Sequence, residues 1–175
     1  PIAELVGLEF SAGGQPLRWE RDRIDVNAFH VDLAGATGPV IARFVHTSPL
    51  RSAEGRVTMT PEMLNLQWEK MSLYPAGHHV RRIAITPSLT LPAGWNLATA
   101  LTGRTRRGDT VSFAATDYET LVDSPVMAGA FFRQWPLASN VQLSAVADGP
   151  GLLSLRESAR AAMARLVDEA VATFG

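Results

Sequence analysis

The sequence contains no cysteine and only one lysine, Lys70, among its 175 residues. The absence of cysteine excludes disulfides, thiol nucleophiles and thiolate metal sites, and it fits a reducing cytoplasm and a periplasm equally well. No apolar run approaches the roughly 18 residues that a membrane-spanning helix requires. No signal-peptide pattern opens the chain. These absences predict a globular domain and do not determine its compartment.

Complete catalytic motifs are also missing. The sequence has no Gly-x-Ser-x-Gly nucleophile elbow, no His-Glu-x-x-His zinc-peptidase helix and no glycine-rich phosphate loop. Its formal net charge is −1, so no overall field would recruit nucleic acid or an anionic membrane. The sequence therefore predicts that this chain carries no catalytic site and no cofactor of its own.

Short apolar runs separated by Gly, Pro and Asp dominate the first 150 residues, which is typical of an all-β domain. The run Phe29–Leu33 alternates apolar and polar residues, and we expect it to pair as a hairpin with Val40–His46 across the Gly35–Pro39 turn. A second hairpin is predicted between Trp95–Thr102 and Val111–Ala115, with Trp95 buried. Further strands are predicted at 63–68, 80–86 and 141–147. The pattern predicts a mainly β fold, either an antiparallel sandwich or a curved open sheet.

One amphipathic helix is predicted at the C-terminal end of the sequence. Ser154 and Glu157 have the spacing of a capping box, and Gly175 stands where a glycine cap ends a helix. Apolar residues follow at helical spacing between these positions: Leu155, Ala159, Ala162, Met163, Leu166, Ala170 and Phe174. We expect this stripe to be only partly covered within the chain, with Leu166 and Phe174 the most exposed.

Two groups of polar residues are candidate ligand sites. The adjacent His78 and His79 suggest a metal site, but neighbouring residues on a strand point to opposite faces, so polar positions at a strand edge are the preferred interpretation. Arg81, Arg82 and the arginine-rich loop 103–109 could form a basic patch for phosphate or carboxylate. The alternative is ordinary solvated charge at a hairpin tip.

The middle of the chain carries more distinctive segments. They are Leu73-Tyr-Pro-Ala-Gly77, the run Ile83–Leu101 that contains Thr-Pro-Ser-Leu-Thr-Leu-Pro-Ala-Gly-Trp, and Tyr118-Glu-Thr-Leu-Val-Asp-Ser-Pro-Val126 followed by Gly129. In this order and spacing, the sequence from about Asn27 to Gly175 resembles the N-terminal domain of the glycyl aminopeptidase family, a bacterial branch of the gluzincin zinc peptidases.

The resemblance implies a β-rich accessory domain over residues 1–150 and, over residues 151–175, a helix that leads into a thermolysin-like catalytic domain. A PDZ-like domain is expected farther downstream, and one or two strands are expected before Pro1. Zinc and peptide substrate would belong to the catalytic domain, so the resemblance transfers no catalytic or metal-binding residue to this chain.

Two loops are predicted either to determine the fold or to face the catalytic domain and its cleft. Their candidate residues are Tyr74, Pro75, Gly77, Leu121, Asp123 and Ser124. A different hypothesis is a free-standing β-sandwich module that binds peptide or carbohydrate on an exposed tryptophan. Its candidate platforms are Trp19, Trp68, Trp95 and Trp135.

Overall fold

The structure is a computed structural model that describes residues 4–49, residue 51 and residues 58–175. Within these ranges the chain forms 15 strands and three α-helices, and the strands pair antiparallel in six sheets of two or three strands. The predicted mainly β class with one long C-terminal helix is confirmed. None of the described helices is long and apolar enough to cross a membrane.

The chain divides into two compact units, which are described separately. The first unit contains Pro1–Val57 and Glu69–Tyr74, and the second contains Thr58–Trp68 and Pro75–Gly175. The short helix α1 (Trp68–Met71) falls at the division.

In its described residues, the first unit contains a three-stranded sheet and a separate hairpin. Leu8, Phe10 and Ala12 of β1 are buried at every second position, as a strand with one covered face requires. The sheet has the order β2-β1-β5, and β3 pairs with β4. The strands are β1 (Leu5–Ala12), β2 (Gln15–Pro16), β3 (Trp19–Arg21), β4 (Phe29–Val31) and β5 (Val40–His46).

The predicted hairpin between Phe29–Leu33 and Val40–His46 is wrong, although both segments contain strands. β5 pairs with β1, and β4 pairs with β3. The ring of Trp19 in β3 meets Phe29 edge-to-face, with 5.6 Å between centroids, and meets Phe10 at 6.0 Å. Aromatic packing of this kind favours β3 as the partner of β4, and it leaves β5 free to pair along the longer β1.

The second unit is built from four sheets, two helices and two 3-10 turns. Its sheets have the orders β6-β13-β9, β10-β11-β8, β12-β7 and β14-β15. The strands are β6 (Met63–Leu66), β7 (Ala84–Ile85), β8 (Ser88–Thr90), β9 (Asn96–Ala98), β10 (Thr105–Arg107), β11 (Thr110–Ser112), β12 (Thr116–Asp117), β13 (Val126–Gly129), β14 (Phe131–Ala138) and β15 (Val141–Ala147). The helices are α2 (Tyr118–Val122) and α3 (Glu157–Phe174), and the 3-10 turns are Val80–Arg82 and Pro150–Leu152.

The core of the second unit surrounds β13, which pairs with β6 on one side and β9 on the other. Val126 and Ala128 of this strand are 0% exposed. A side chain at Gly129 would lie 2.9 Å from the backbone oxygen of Glu62, so the close approach of β6 requires glycine there. Other buried apolar residues of this unit are Leu66, Trp68, Leu91, Trp95, Leu97, Leu101, Val111, Phe113, Tyr118 and Leu121.

The second predicted hairpin is wrong in its first arm, and the loop predicted at 103–109 contains strand β10 and the turn that follows it. β10 and β11 meet across Gly108, whose φ of 58° lies in the left-handed region that favours glycine. The predicted arm Trp95–Thr102 instead contributes β9 to the sheet of β13. Trp95 is 8% exposed, which confirms its predicted burial.

Helix α3 begins at Glu157, and the predicted Ser154 cap is wrong. Arg156 occupies the N-cap position without a side-chain hydrogen bond, and Glu157 instead binds Arg160, with 2.6 Å between Oε1 and Nη2. A 3-10 turn at Pro150–Leu152 precedes the helix and delays its start. The predicted glycine cap is confirmed, since Gly175 has a φ of 93° and its N–H donates to the carbonyl of Val171.

The apolar stripe of α3 is largely uncovered, as predicted. Leu166 is 70% exposed and Phe174 is 86% exposed. The half-buried residues of α3 are Ala159, Arg160, Ala161, Ala164 and Val167, and Ala159 is the one among them that belongs to the predicted stripe.

The tip of the β3–β4 hairpin is organised by one carboxylate. Asp22 Oδ1 accepts backbone hydrogen bonds from Ile24 at 2.7 Å and Asp25 at 2.8 Å, and Oδ2 lies 2.7 Å from His30 Nε2. The hydrogen bond with His30, followed by those with the two backbone N–H groups, lowers the pKa of Asp22 from 3.8 to about 2.

Replacing Trp95 with alanine should lower the free energy of unfolding by about 3–5 kcal/mol, because the indole fills a buried site. Chemical denaturation followed by far-UV circular dichroism would measure the loss. Ile24→Ala is the matched control, since Ile24 is 95% exposed and its truncation should change stability by less than about 0.5 kcal/mol. Equal effects of the two substitutions would contradict the burial of Trp95.

Replacing His30 with alanine should raise the pKa of Asp22 toward its ordinary value, because the largest cause of the depression is removed. A depressed carboxyl pKa stabilises the fold above the unfolded value and stops doing so as the pH falls through the folded value. The stabilisation from Asp22 should therefore disappear between pH 3.8 and about pH 2. Carboxyl NMR titration would report the midpoint. His78→Ala serves as the control, and an unchanged midpoint in His30→Ala would refute the assignment.

Candidate functional site

The first candidate loop, 73–77, lies at the surface. Tyr74, in the first unit, is exposed, as are Pro75 and Gly77 in the second unit. Gly77 has a φ of 82°, so a substitution there would strain the turn even though open space surrounds its Cα. These three predicted residues are accessible to a partner.

The second candidate loop follows helix α2, and the start of that helix is fixed by Asp117. Its carboxylate accepts a hydrogen bond from the Thr120 N–H at 2.9 Å and another from the Thr120 hydroxyl at 2.9 Å. These two bonds, the backbone one first, lower the pKa of Asp117. At neutral pH the ionised carboxylate therefore holds the first turn of α2.

A paired arginine and glutamate join α2 to the 3-10 turn Val80–Arg82. Arg81 Nη2 lies 2.8 Å from Glu119 Oε1, and Arg81 Nε donates to Oε2, so the contact is bidentate. The Arg81 hydrogen bonds hold the pKa of Glu119 below its usual range. Arg81 is largely exposed, so the ion pair contributes little to the free energy of unfolding. Its main effect is to orient α2 relative to the 3-10 turn. The adjacent Arg82 is also exposed.

The second loop itself separates into buried and exposed residues. Leu121 is 3% exposed and Ser124 is 4% exposed, whereas Asp123 lies at the surface. The carbonyl oxygen of Ser124 accepts hydrogen bonds from Trp68 Nε1 at 2.9 Å and from Thr99 Oγ1 at 3.2 Å. Leu121 and Ser124 thus stabilise the fold, whereas Asp123 is the candidate residue of this second loop that is accessible to a partner.

Two of the three arginines of the loop 103–109 bind backbone carbonyls of the chain itself. Arg106 Nη1 donates to the Trp95 carbonyl at 2.8 Å, and its Nε donates to Gly108 at 3.0 Å. Arg104 Nη1 reaches the Leu97 carbonyl at 3.3 Å. These contacts fix the hairpin against β9 and give Arg104 and Arg106 a structural role. Arg107 is exposed.

The histidines do not converge. His30 pairs with Asp22, His46 lies 3.4 Å from Glu4, and the Nδ1 of His79 accepts the Arg81 N–H at the start of the 3-10 turn. Across residues 4–49, 51 and 58–175 there is no group of three or more His, Cys, Asp or Glu side chains that could hold a metal ion.

The four tryptophans differ in exposure. Trp68 and Trp95 are buried, whereas Trp19 is 37% exposed and packs edge-to-face against Phe10 and Phe29. The Arg133 guanidinium lies 5.2 Å from the ring centroid of the half-buried Trp135. Burial therefore removes Trp68 and Trp95 from the four candidate platforms of the binding-module hypothesis.

The architecture is that of an antiparallel β-domain followed by a C-terminal helix. A family model described as the Peptidase M61 N-terminal domain matches residues 1–130, and the chain belongs to this family. The predicted resemblance is thus confirmed at the level of an M61-type N-terminal domain of a peptidase. A search of curated proteins finds no match.

Among solved structures, the chain is similar to an aminopeptidase N family protein from Idiomarina loihiensis, with a TM-score of 0.66 and 16% sequence identity. The alignment covers 99% of this chain and 29% of that chain. The likeness shows a shared fold, and this chain spans less than a third of that protein's length.

Leu121→Ala and Asp123→Ala should have opposite consequences, although the residues are two positions apart. Loss of the buried Leu121 side chain should cost about 2–5 kcal/mol of unfolding free energy, whereas Asp123→Ala should change it by less than about 0.5 kcal/mol. Urea denaturation of both variants would measure the difference. A strongly destabilised Asp123→Ala variant would show that Asp123 has a structural role that its exposure does not reveal.

Proposed function

We propose that this chain is the non-catalytic N-terminal domain of a zinc-dependent aminopeptidase of the glycyl aminopeptidase type. In this proposal it packs beside the catalytic domain of the same polypeptide and shapes the access of peptides to the cleft. The observation that carries the proposal is the match of residues 1–130 to the Peptidase M61 N-terminal domain. The fold shared with part of a longer aminopeptidase N family protein supports it.

The residues proposed to face the catalytic domain are, in the second unit, Pro75, Gly77 and Asp123 and, separately in the first unit, Tyr74, because these members of the predicted set are exposed. Leu121 and Ser124 would act indirectly, by holding the loop that presents Asp123. The Arg81–Glu119 pair would fix the helix from which this loop emerges. Access would thus be shaped by a rigid surface, since hydrogen bonds at Asp117, Glu119 and Ser124 leave the loop little freedom.

Zinc would be bound by the catalytic domain. In the described part of this chain each histidine for which a polar contact is seen, His30, His46 and His79, uses a different partner in a different segment. A catalytic zinc needs about three converging protein ligands and one open position. The donor sets in this chain do not fit that requirement, so the zinc-bound water that attacks the peptide would be generated elsewhere in the protein. A PDZ-like domain farther along the polypeptide completes the proposed arrangement.

Zinc analysis and an aminopeptidase assay on two proteins, the 175-residue chain and the longer natural polypeptide, test this proposal. We expect the chain alone to bind no stoichiometric zinc and to release no product from an aminoacyl-nitroanilide substrate. The longer protein should bind about one zinc ion and lose its activity with a chelator. Chelator-resistant activity in the 175-residue chain would overturn the proposal.

Asp123→Arg in the longer protein tests the role of the proposed surface. If Asp123 borders the route to the cleft, the substitution should change KM for peptide substrates more than kcat. Asp109→Arg, at the tip of the β10–β11 hairpin, is the matched charge control. Identical kinetics in both variants and the wild type would remove Asp123 from the proposed surface.

A further inference from the structure

Strand β5 lies at one edge of the three-stranded sheet of the first unit. The sheet has the order β2-β1-β5, and within the described residues β5 pairs only with β1. β5 has seven residues, whereas β2 at the opposite edge has two. An edge strand carries a row of N–H and C=O groups that no neighbouring strand uses, and these groups can pair with another extended chain.

The register shows which backbone groups of β5 face away from the sheet. The carbonyl of Phe10 in β1 accepts the Leu17 N–H at 2.8 Å, so the backbone groups of Phe10 face β2. Ala42 lies directly opposite Phe10, and this pair is therefore the non-hydrogen-bonded kind, in which the N–H and C=O of both residues face away from each other. Because the direction alternates along a strand, Phe44 and His46 also present their N–H and C=O groups outward.

β5 has few of the features that protect an edge strand from pairing. It contains no lysine and no proline, and Arg43 is its one member of the Lys, Arg, Asp and Glu set. The irregular step of the β1–β5 ladder lies in β1, so it does not interrupt β5. Three apolar residues of the strand are well exposed: Val40 at 45%, Ile41 at 41% and Val45 at 62%. The edge is therefore open to a further strand.

The first unit also has an open groove at this strand. The groove has a volume of about 680 Å³, and residues 42–46 line it together with Gly7, Glu9 and Met71, all of which belong to the first unit. A volume of this size is in the range of ligand-binding clefts. Side chains of a ligand next to β5 would therefore have space.

One face of β5 is apolar with a positive charge at its centre. Ile41, Arg43 and Val45 alternate along the strand, so their side chains share this face, and all three are exposed. The ion pairs seen among the described residues do not include Arg43. A strand added beside β5 would be stabilised by a carboxylate opposite Arg43 and by apolar side chains opposite Ile41 and Val45.

We infer that β5 binds an extended peptide as an added antiparallel strand, with an acidic side chain opposite Arg43 and apolar side chains opposite Ile41 and Val45. Backbone hydrogen bonds would give the affinity, and the alternating side chains would give the selectivity. A second copy of β5 suits the edge less well, because pairing about Arg43 would set two guanidinium groups opposite each other. The choice of a peptide rests on the proposed function, since a peptidase takes peptides as substrates.

A fluorescein-labelled peptide, Thr-Val-Ser-Glu-Ser-Val-Thr, tests the inference by fluorescence anisotropy with the 175-residue chain. With its Glu opposite Arg43, the two Ser residues lie opposite Ala42 and Phe44, and their N–H groups face β5. N-methylation of both Ser residues should weaken binding at least about tenfold, because two hydrogen bonds are lost. N-methylation of the Glu, whose N–H faces away from β5, should change the affinity less than about twofold.

Lysine in place of the peptide's Glu gives a check on Arg43 and should weaken binding about two- to fivefold. Equal effects of N-methylation at the Ser and Glu positions would overturn the inference, and so would failure of the unmodified peptide to bind.

Ala42→Pro removes one outward N–H from the strand, at a position where an edge strand tolerates proline. It should weaken binding about three- to tenfold, because one hydrogen bond to the peptide is lost. Ala42→Ser keeps the N–H and is the matched control, with the affinity of the wild type. Binding of Ala42→Pro with wild-type affinity would contradict the inference.

Hydrogen exchange on the wild-type chain gives the same test without a substitution. The peptide should slow exchange of the Ala42 and Phe44 amides, which face outward, and leave the Arg43 and Val45 amides, which face β1, unchanged. Slowing that does not alternate along β5 would show that the peptide does not add as a strand.

The longer polypeptide separates this inference from the proposed function. Peptide binding at β5 without peptidase activity would support the inference and overturn the proposed function. Peptidase activity in a protein that does not bind the probe, and whose Ala42 and Phe44 amides are protected without it, would do the reverse. The edge would then belong to another segment of the same polypeptide.

Discussion

The second unit depends on a single buried strand. β13 is hydrogen-bonded on both edges, to β6 and β9, and its Val126 and Ala128 side chains are fully enclosed. Such a strand cannot shift without breaking two ladders and moving every side chain to the opposite face. Gly129 permits the close approach of β6, so even the end of this strand is fixed by contact with a neighbouring backbone.

The candidate loop 121–125 owes its position to that strand. Ser124 lies two residues before Val126, and its carbonyl oxygen accepts bonds from Trp68 and Thr99, which come from distant parts of the chain. Leaving such a buried carbonyl without donors would cost about 1–3 kcal/mol. The loop is therefore fixed by contacts with the buried core and by its connection to α2, whose Glu119 binds Arg81.

The buried residues are unevenly distributed along the chain, and their positions bear on how the fold serves the proposed function. The residues matched by the family model include all the described buried positions, whereas the hairpin and helix that follow expose apolar side chains. An accessory domain needs a core that persists independently and a region that joins its neighbour.

Local patterns in the sequence were sufficient for several features. Alternation predicted the strand Val141–Ala147, helical spacing and a terminal glycine predicted α3 and its end, and a Pro-x-Gly turn predicted a buried Trp95. Each is encoded within one segment, where periodicity and backbone preference act. Strand partners were decided only by the tertiary structure: β5 pairs with β1, and β4 pairs with β3, where Phe29 packs against Trp19. The Arg81–Glu119 pair and the donors to Ser124 also join residues far apart in sequence, and no local pattern records which distant groups a fold will bring within hydrogen-bond distance.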